Sequence, residues 1–290
     1  MTTNITRRAY GNATPTRRFD ATSSDGTRLA VQEWGRADGL PILFIHAWSQ
    51  SHLGWAPQLE GALTQRFRLI TFDHRGHGES DKPDAIEAYT DGRRWADDVH
   101  AVLDAADVRR AVFVPWSLGG VVALDYLEHH GHGRVAGIDF VAAGNAIGND
   151  RALTHFGAAV AAHAQRALSS DLRVQLDALL RLQQALVLRE LHVEDFGELV
   201  SQALVTSPVA RAGLLSRQID HEGTLRQLGV PILLTHGSRD EILTRRAADD
   251  VVRFAPHARL SLYEGAGHAP HFEDPARFDA ELADFVRRVN

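Results

Sequence analysis

The sequence predicts an α/β fold built on a mostly parallel, doubly wound sheet. Short, continuous apolar runs bounded by proline, glycine or polar residues are typical of strands that are buried on both faces. Amphipathic helical patterns separate several of these runs, and strands that alternate with helices form a parallel sheet with helices on both sides. The six runs are 41–47, 67–73, 111–117, 135–143, 230–237 and 258–265.

The elements before and between these runs follow from local patterns. Residues 1–18 are polar, and we expect a flexible leader there, because no apolar segment follows their arginine pair. DGTRLAVQEWG (25–35) then predicts a turn and an alternating strand. GRRWADDVHAVLDAADV (92–108) and GGVVALDYLEHHG (119–131) predict helices, and the second should end at Gly131.

One interval, residues 145–228, breaks the alternation because it contains no convincing strand. It holds helical patterns, among them a leucine stripe made of Leu172, Leu176, Leu179, Leu180 and Leu186. Open α/β sheets bind their ligands beyond the carboxyl ends of the strands. We therefore expect 145–228 to form a helical cap, inserted after strand six into a core made of residues 19–144 and 229–290.

Composition excludes several classes of site. The 290 residues include no cysteine, which excludes disulfides, zinc–thiolate sites, iron–sulfur clusters and thiol nucleophiles. The net charge of −6 argues against nucleic-acid binding, which generally rests on a basic surface. No apolar run approaches the length of a transmembrane helix. We expect a cytoplasmic protein with no nucleic-acid or membrane partner, no metal and no cofactor, and a homo-oligomer stays open.

Three side chains carry the predicted chemistry. VPWSLGG (114–120) puts Ser117 between an apolar run and a helical pattern, where a tight turn lifts the hydroxyl above the sheet. A serine hydroxyl is a poor nucleophile unless a base, itself held by an acid, takes its proton. Asp240 in THGSRDEIL and His268 in YEGAGHAPHFEDP each follow a later apolar run. The amide of Leu118, just behind the serine, can donate to a developing oxyanion.

These motifs carry a family resemblance. LFIHAWSQS, ITFDHRGHGESD, WSLGG, VPILLTHGSRD and GAGHAPHFEDPARF make the chain from about residue 25 to its end resemble the α/β-hydrolase superfamily. It is most similar to the lidded group that contains small esterases, perhydrolases (cofactor-free haloperoxidases) and acyl-lactone hydrolases. The resemblance implies an α/β-hydrolase fold and a triad of Ser117, His268 and Asp240. It also implies a second oxyanion donor, the amide of Trp48, because HAW occupies the place of the family's oxyanion loop.

Two residues depart from the family pattern. Pro115 and Ala47 stand where the serine turn and the oxyanion loop usually have glycine. Position 115 is near a strand end, where proline is tolerated, and one methyl at position 47 does not remove the Trp48 amide. We therefore expect a reshaped but active site, with His46, Trp48 and Trp116 at the substrate pocket.

Two alternatives stay open at this point. AWSQSH and GIDF also resemble cofactor-free dioxygenases of the same fold, which open N-heteroaromatic rings with a histidine–acid pair, and Asp139 lies where their acid would be. His271, three residues beyond His268, competes with it as the base, and we favour His268 because GAGH is the matching family motif. We favour a serine hydrolase that cleaves a carboxylic ester or lactone of a small apolar or aromatic substrate through an acyl-enzyme.

Overall fold

The computed structural model describes residues 13–290, which form an eight-stranded sheet in the order β1-β2-β4-β3-β5-β6-β9-β10 and a separate pair, β7-β8. All six predicted runs are strands, and the α/β-hydrolase fold class is confirmed. The strands are β1 (Arg17–Thr22), β2 (Arg28–Gly35), β3 (Leu40–Ile45), β4 (Phe67–Phe72), β5 (Ala111–Pro115), β6 (Val135–Val141), β7 (Ala146–Ile147), β8 (Ile219–Asp220), β9 (Ile232–Gly237) and β10 (Arg259–Tyr263).

The central strands are parallel and buried, as their apolar runs predict. β4, β3, β5, β6, β9 and β10 pair in parallel, so their carboxyl ends share one edge of the sheet. β1 and β2 extend the sheet by antiparallel pairing at one side. The C-terminal boundary predicted for the leader, residue 18, was wrong, because Arg17 and Arg18 lie in β1, opposite Glu33 and Gln32. Residues 1–12 of that leader lie outside the described residues.

Helices cover both faces of the sheet, and each face has its own apolar core. The α-helices are α1 (Ala56–Leu59), α2 (Glu87–Thr90), α3 (Gly92–Ala105), α4 (Leu118–His130), α5 (Asp150–His155), α6 (Ala158–His163), α7 (Leu172–Gln184), α8 (Val193–Val205), α9 (Pro208–Leu215), α10 (Glu222–Gln227), α11 (Arg246–Phe254), α12 (Pro270–Glu273) and α13 (Pro275–Val289). Short 3-10 helices lie at His52–Trp55, Ala62–Gln65 and Arg166–Leu168. Of the helices in residues 13–290, none has the length and apolar character needed to cross a bilayer.

The interval 145–228 is helical, with α5 to α10 between β6 and β9. The expectation that it lacks strands was wrong, because β7 and β8 pair in antiparallel fashion near its two ends. Each has two residues, too few for an alternating pattern to be visible in the sequence. The leucine stripe is only partly buried. Leu179 is 1% exposed and packs inward, whereas Leu172, at the first turn of α7, is 63% exposed.

Candidate active site

Ser117 lies on a sharp turn between β5 and α4. Its φ of 55° is in the left-handed region, which costs energy for a residue other than glycine and is typical of functional turns. The two glycines behind it let α4 approach its neighbours. A Cβ at Gly119 would lie 2.4 Å from the Ile45 carbonyl oxygen, and one at Gly120 would lie 2.5 Å from the Gly144 oxygen. The sequence SLGG therefore permits close packing of the helix start against the loops after β3 and β6.

Pro115 fits the end of β5 because the ladder with β6 is interrupted there, whereas the pairing with β3 continues and places Pro115 opposite Ile45. The pairing of β5 with β6 runs through Phe113 and resumes only where Trp116 lies opposite Val141. Proline has no N–H for a ladder, so it occupies the interruption without loss of a hydrogen bond. On either side of the strand end, the Trp116 amide donates to Ile45 and the Ser117 amide to Val141. The strand end is thus held by the residues after the proline.

Asp240 and His268 meet beyond the carboxyl ends of β9 and β10. His268 Nδ1 and Asp240 Oδ2 are 2.7 Å apart, and both side chains are buried. The other oxygen of Asp240 accepts from the amides of Ile242 and Leu243, at 2.8 and 2.9 Å. These bonds fix the carboxylate so that it holds the Nδ1–H tautomer of His268. His268 Nε2 is left without a hydrogen-bond partner, as a general base requires.

The serine, the histidine and two free amides converge on one cavity. Ser117, His268, Trp48 and Leu118 all line it. Within residues 13–290, neither the Trp48 amide nor the Leu118 amide donates to a protein acceptor. Both N–H groups follow strand ends that lie next to each other in the sheet, β3 and β5. The arrangement brings a hydroxyl, a free imidazole nitrogen and two unpaired donors around one space.

His46 lies behind the loop after β3 (residues 47–51, the β3 loop) and does not line this cavity, which differs from the prediction. Its Nδ1–H donates to the Ala47 carbonyl at 2.8 Å, and its Nε2 accepts the His74 amide at 2.9 Å. Burial holds the pKa of His46 well below its usual range. His46 is therefore a neutral brace of the loop, because both ring nitrogens are used on backbone groups.

His77 braces the same loop from a second side. Its Nδ1–H donates to the Arg75 carbonyl at 3.0 Å, and its Nε2 accepts the Ser49 amide at 3.3 Å. Burial lowers the pKa of His77 to about 4 and that of the neighbouring His74 to about 3. Protonated His77 would present an N–H to the Ser49 N–H, so the β3 loop depends on the neutral ring.

Trp116 also differs from the prediction, because it does not line the cavity. The ring is 1% exposed, and its indole N–H donates to the His268 carbonyl at 2.9 Å. His271 packs edge-on against this ring at 4.7 Å and contacts the Gly54 carbonyl through Nε2 at 3.2 Å. Burial lowers the pKa of His271 to about 3. Trp116 therefore supports the loop that carries His268, and His271 lies behind that loop with no access to the cavity.

Asp139 is separate from the histidine. It lies within β6, fully buried, and accepts from the Thr235 hydroxyl at 2.9 Å. Burial raises the pKa of Asp139 to about 7. The acid that contacts His268 is Asp240, as the Ser–Asp–His prediction has it, and not Asp139. In the part of the chain that the structure describes, no group of three or more His, Asp or Glu side chains is arranged to hold a metal ion.

Apolar side chains form most of the cavity wall. Most of them come from the interval 145–228 and from the loop after β9, and the others from the β3 loop and α4. Examples are Phe156, Val160, Leu182, Leu186, Ile242 and Leu243. One polar side chain that the sequence analysis missed, Gln183, also lines it. The signal was available, since Gln183 follows the buried Leu179 by four residues, on one face of α7.

Sheet and site together define an α/β hydrolase: a serine on a strand–helix turn, with a histidine–aspartate pair beyond later strands of the same parallel sheet. Comparison with known proteins agrees with this class. The model of the alpha/beta hydrolase fold family matches residues 41–275, and the chain therefore belongs to that family.

Individual relatives are similar over nearly the whole chain. A non-heme chloroperoxidase of Streptomyces lividans is 28% identical over 285 residues, which cover 92% of this chain and 98% of the relative. The crystal structure of an esterase from Rhodococcus sp. ECU1013 matches with a TM-score of 0.89 and 35% identity, over 94% of this chain and 99% of the other. That of a putative aryl esterase from Burkholderia cenocepacia matches with a TM-score of 0.86 and 34% identity, over the same shares. The predicted resemblance to the esterase and cofactor-free haloperoxidase group is confirmed.

Proposed function

We propose that this chain is a serine hydrolase that cleaves a carboxylic ester or lactone through an acyl-enzyme. The observation that carries the proposal is the His268–Asp240 contact of 2.7 Å, which leaves His268 Nε2 free on the same cavity as Ser117. A histidine held in this tautomer can take the serine proton, and the buried carboxylate stabilises the imidazolium that forms.

We assign each step of the proposed reaction to a residue that lines the cavity. Ser117 Oγ attacks the substrate carbonyl while His268 Nε2 takes the hydroxyl proton. The negative charge that develops on the carbonyl oxygen is stabilised by the amides of Trp48 and Leu118. His268 then returns the proton to the leaving alcohol, and the carbonyl re-forms as an ester of Ser117. Water, deprotonated by the same nitrogen, attacks this ester; the bond to Ser117 Oγ breaks, His268 returns the proton to that oxygen, and the acid is released.

The cavity wall supports an apolar substrate, and the interval 145–228 acts in this proposal as the cap. Its side chains and those of the loop after β9 would enclose an acyl or aromatic group of modest size. The relatives are consistent with this class of reaction, since two of them are named an esterase and a putative aryl esterase.

The test is covalent labelling of the nucleophile. An organophosphonate should modify Ser117 of the wild-type protein, and Ser117→Ala should lose about 10³-fold or more of its ester hydrolysis. Ser216→Ala is the matched control and should keep the wild-type rate, because among residues 13–290 the Ser216 hydroxyl bonds only to the Gly213 carbonyl in α9. Normal ester hydrolysis by Ser117→Ala would contradict the mechanism. Oxygen consumption with a hydroxylated N-heteroaromatic substrate that survives Ser117→Ala would favour the dioxygenase instead.

A further inference from the structure

The cavity is lined by the side chain of Gln183, a polar group that the proposed mechanism does not use. Gln183 lies in the last turn of α7 and is 3% exposed, yet it lines the same cavity as Ser117. Burial of an amide among apolar groups is costly unless the amide is hydrogen-bonded. We therefore expect both the oxygen and the nitrogen of the Gln183 amide to have hydrogen-bond partners, either in the protein or in a bound ligand.

Neighbouring bonds fix which end of the Gln183 amide faces the cavity. Gln50 Nε2 donates to the Ser49 carbonyl at 3.0 Å, so this atom of Gln50 must be the nitrogen. The same nitrogen donates to Gln183 at 2.7 Å, so the atom of Gln183 that accepts must be its oxygen. The Gln183 Nε2 group is left over. Within residues 13–290 it donates to no protein acceptor, and it is not enclosed by protein atoms.

We propose that Gln183 is a specificity-determining residue whose Nε2–H donates to an acceptor oxygen of the substrate. The acceptor would be an ether, keto or hydroxyl oxygen in the otherwise apolar part of the ester, away from the carbonyl that Ser117 attacks. The inference rests on the proposed ester hydrolysis. It follows because an ester with a methylene at that point would leave the amide N–H buried without a partner, whereas an oxygen would satisfy it.

A purely structural role for Gln183 makes a different prediction, and the chain offers a matched control for it. Gln183 also holds the β3 loop through Gln50, so its loss could lower all rates by displacing the Trp48 amide. Gln202 of α8 holds the same loop, because its Oε1 accepts from the Ser51 amide and hydroxyl at 3.0 and 3.1 Å. Gln202 does not line the cavity. Gln202→Met therefore weakens the loop support and leaves the cavity donor in place.

The experiment compares isosteric substrates. The probes are 4-nitrophenyl hexanoate and the three analogues in which an ether oxygen replaces the methylene at C3, C4 or C5 of the acyl chain. For each protein, kcat/KM of the ether ester is divided by that of the alkyl ester. Intrinsic reactivity of the esters cancels when this ratio is compared between variants. Gln183→Met removes the donor, and Gln183→Glu keeps the oxygen that accepts from Gln50 but replaces the free N–H group with a second acceptor.

For at least one ether position, the wild-type ratio should exceed the Gln183→Met ratio by about tenfold, the worth of one buried neutral hydrogen bond. Gln183→Glu should lower the ratio at least as far, since an oxygen would then face an oxygen. Gln202→Met should lower both rates in parallel and keep the ratio within about twofold of wild type.

Two results would overturn the inference alone: ratios that do not change in either Gln183 variant, or a ratio that falls equally in Gln202→Met. In both cases Ser117-dependent hydrolysis would continue, so the proposed function would stand. If the wild-type protein hydrolyses none of the four esters, the proposed function and this inference are both contradicted.

Discussion

His77 makes the β3 loop sensitive to acid. Its Nε2 accepts the Ser49 amide, so the ring must be neutral for that bond, and burial lowers the pKa of His77 to about 4. Asp73 raises this pKa, and the charges of Arg211 and Lys82 lower it. The unfolded chain has a histidine pKa near the ordinary value of 6.5. Between these two pKa values, the unfolded state binds a proton that the folded state does not.

The sign and size of the effect follow from linkage. Stability from neutral His77 is fully present above about pH 6.5 and is lost as the pH falls toward about 4. The difference of about 2.5 in pKa corresponds to about 3 kcal/mol when the loss is complete. When the pH falls from about 7.5 to about 5.5, a range in which the fold should still persist, His77 alone should lower the free energy of unfolding by about 1 kcal/mol. The depressed pKa values of His46, His74 and His271 act in the same direction.

His77→Gln isolates this contribution. A glutamine can accept from the Ser49 amide and donate to the Arg75 carbonyl, but it does not titrate. The free energy of unfolding, from urea titrations at both pH values, should fall by about 1 kcal/mol less in the variant than in wild type. His129→Gln is the control at an exposed position and should follow wild type. An equally steep fall in wild type and His77→Gln would refute the reasoning, because His77 would then titrate alike in both states.

Three further changes test other parts of the site. Asp240→Asn should lower kcat by about 10⁴-fold in steady-state ester assays, because the amide cannot hold the required His268 tautomer. Asp139→Asn is the control and should leave kcat near the wild-type value. A small effect of Asp240→Asn on kcat would show that Asp240 is not part of the mechanism. In Trp116→Phe the His268 carbonyl loses its hydrogen-bond donor. The variant should therefore be less stable to urea unfolding by about 1–2 kcal/mol, and its kcat should fall more than its KM changes. An unchanged kcat would show that this bond does not position the histidine. Gly120→Ala should lower the free energy of unfolding by about 1–3 kcal/mol, because the added Cβ would lie 2.5 Å from the Gly144 oxygen. Gly223→Ala, whose Cβ would meet nothing within 4 Å, should leave this free energy unchanged or raise it. Equal unfolding midpoints for the two variants would contradict the close approach at Gly120.

The sequence was sufficient for the parts of the fold that are buried on both faces. Apolar runs located the central strands, and the order of Ser117, Asp240 and His268 after such runs located the site, because parallel strands share one carboxyl edge. No strand was predicted at β1, because it lies at the edge of the sheet and its RRFDAT sequence has one fully buried residue, Ala21. β7 and β8 were missed because a two-residue strand has no period.

Side-chain direction was harder to predict than position. Trp116 and His46 lie next to the serine and the β3 loop in sequence, but both point behind the site, where backbone carbonyls and amides satisfy their ring nitrogens. The rotation of a side chain at a strand end depends on register and on partners distant in sequence, such as the His268 carbonyl. For Gln183, the partner Gln50 is 133 residues away. The sequence showed a polar residue on a buried face, and only the fold showed what that residue contacts.

In the proposed mechanism, His268, held by Asp240, activates Ser117 as the nucleophile of an ester hydrolase. The most direct measurement is mass spectrometry of the protein after rapid mixing with a 4-nitrophenyl ester and acid quench. We expect an acyl group on Ser117 that forms at least as fast as turnover, and no adduct in Ser117→Ala. Turnover of the ester without acylation of Ser117, or turnover that persists in Ser117→Ala, would contradict this mechanism.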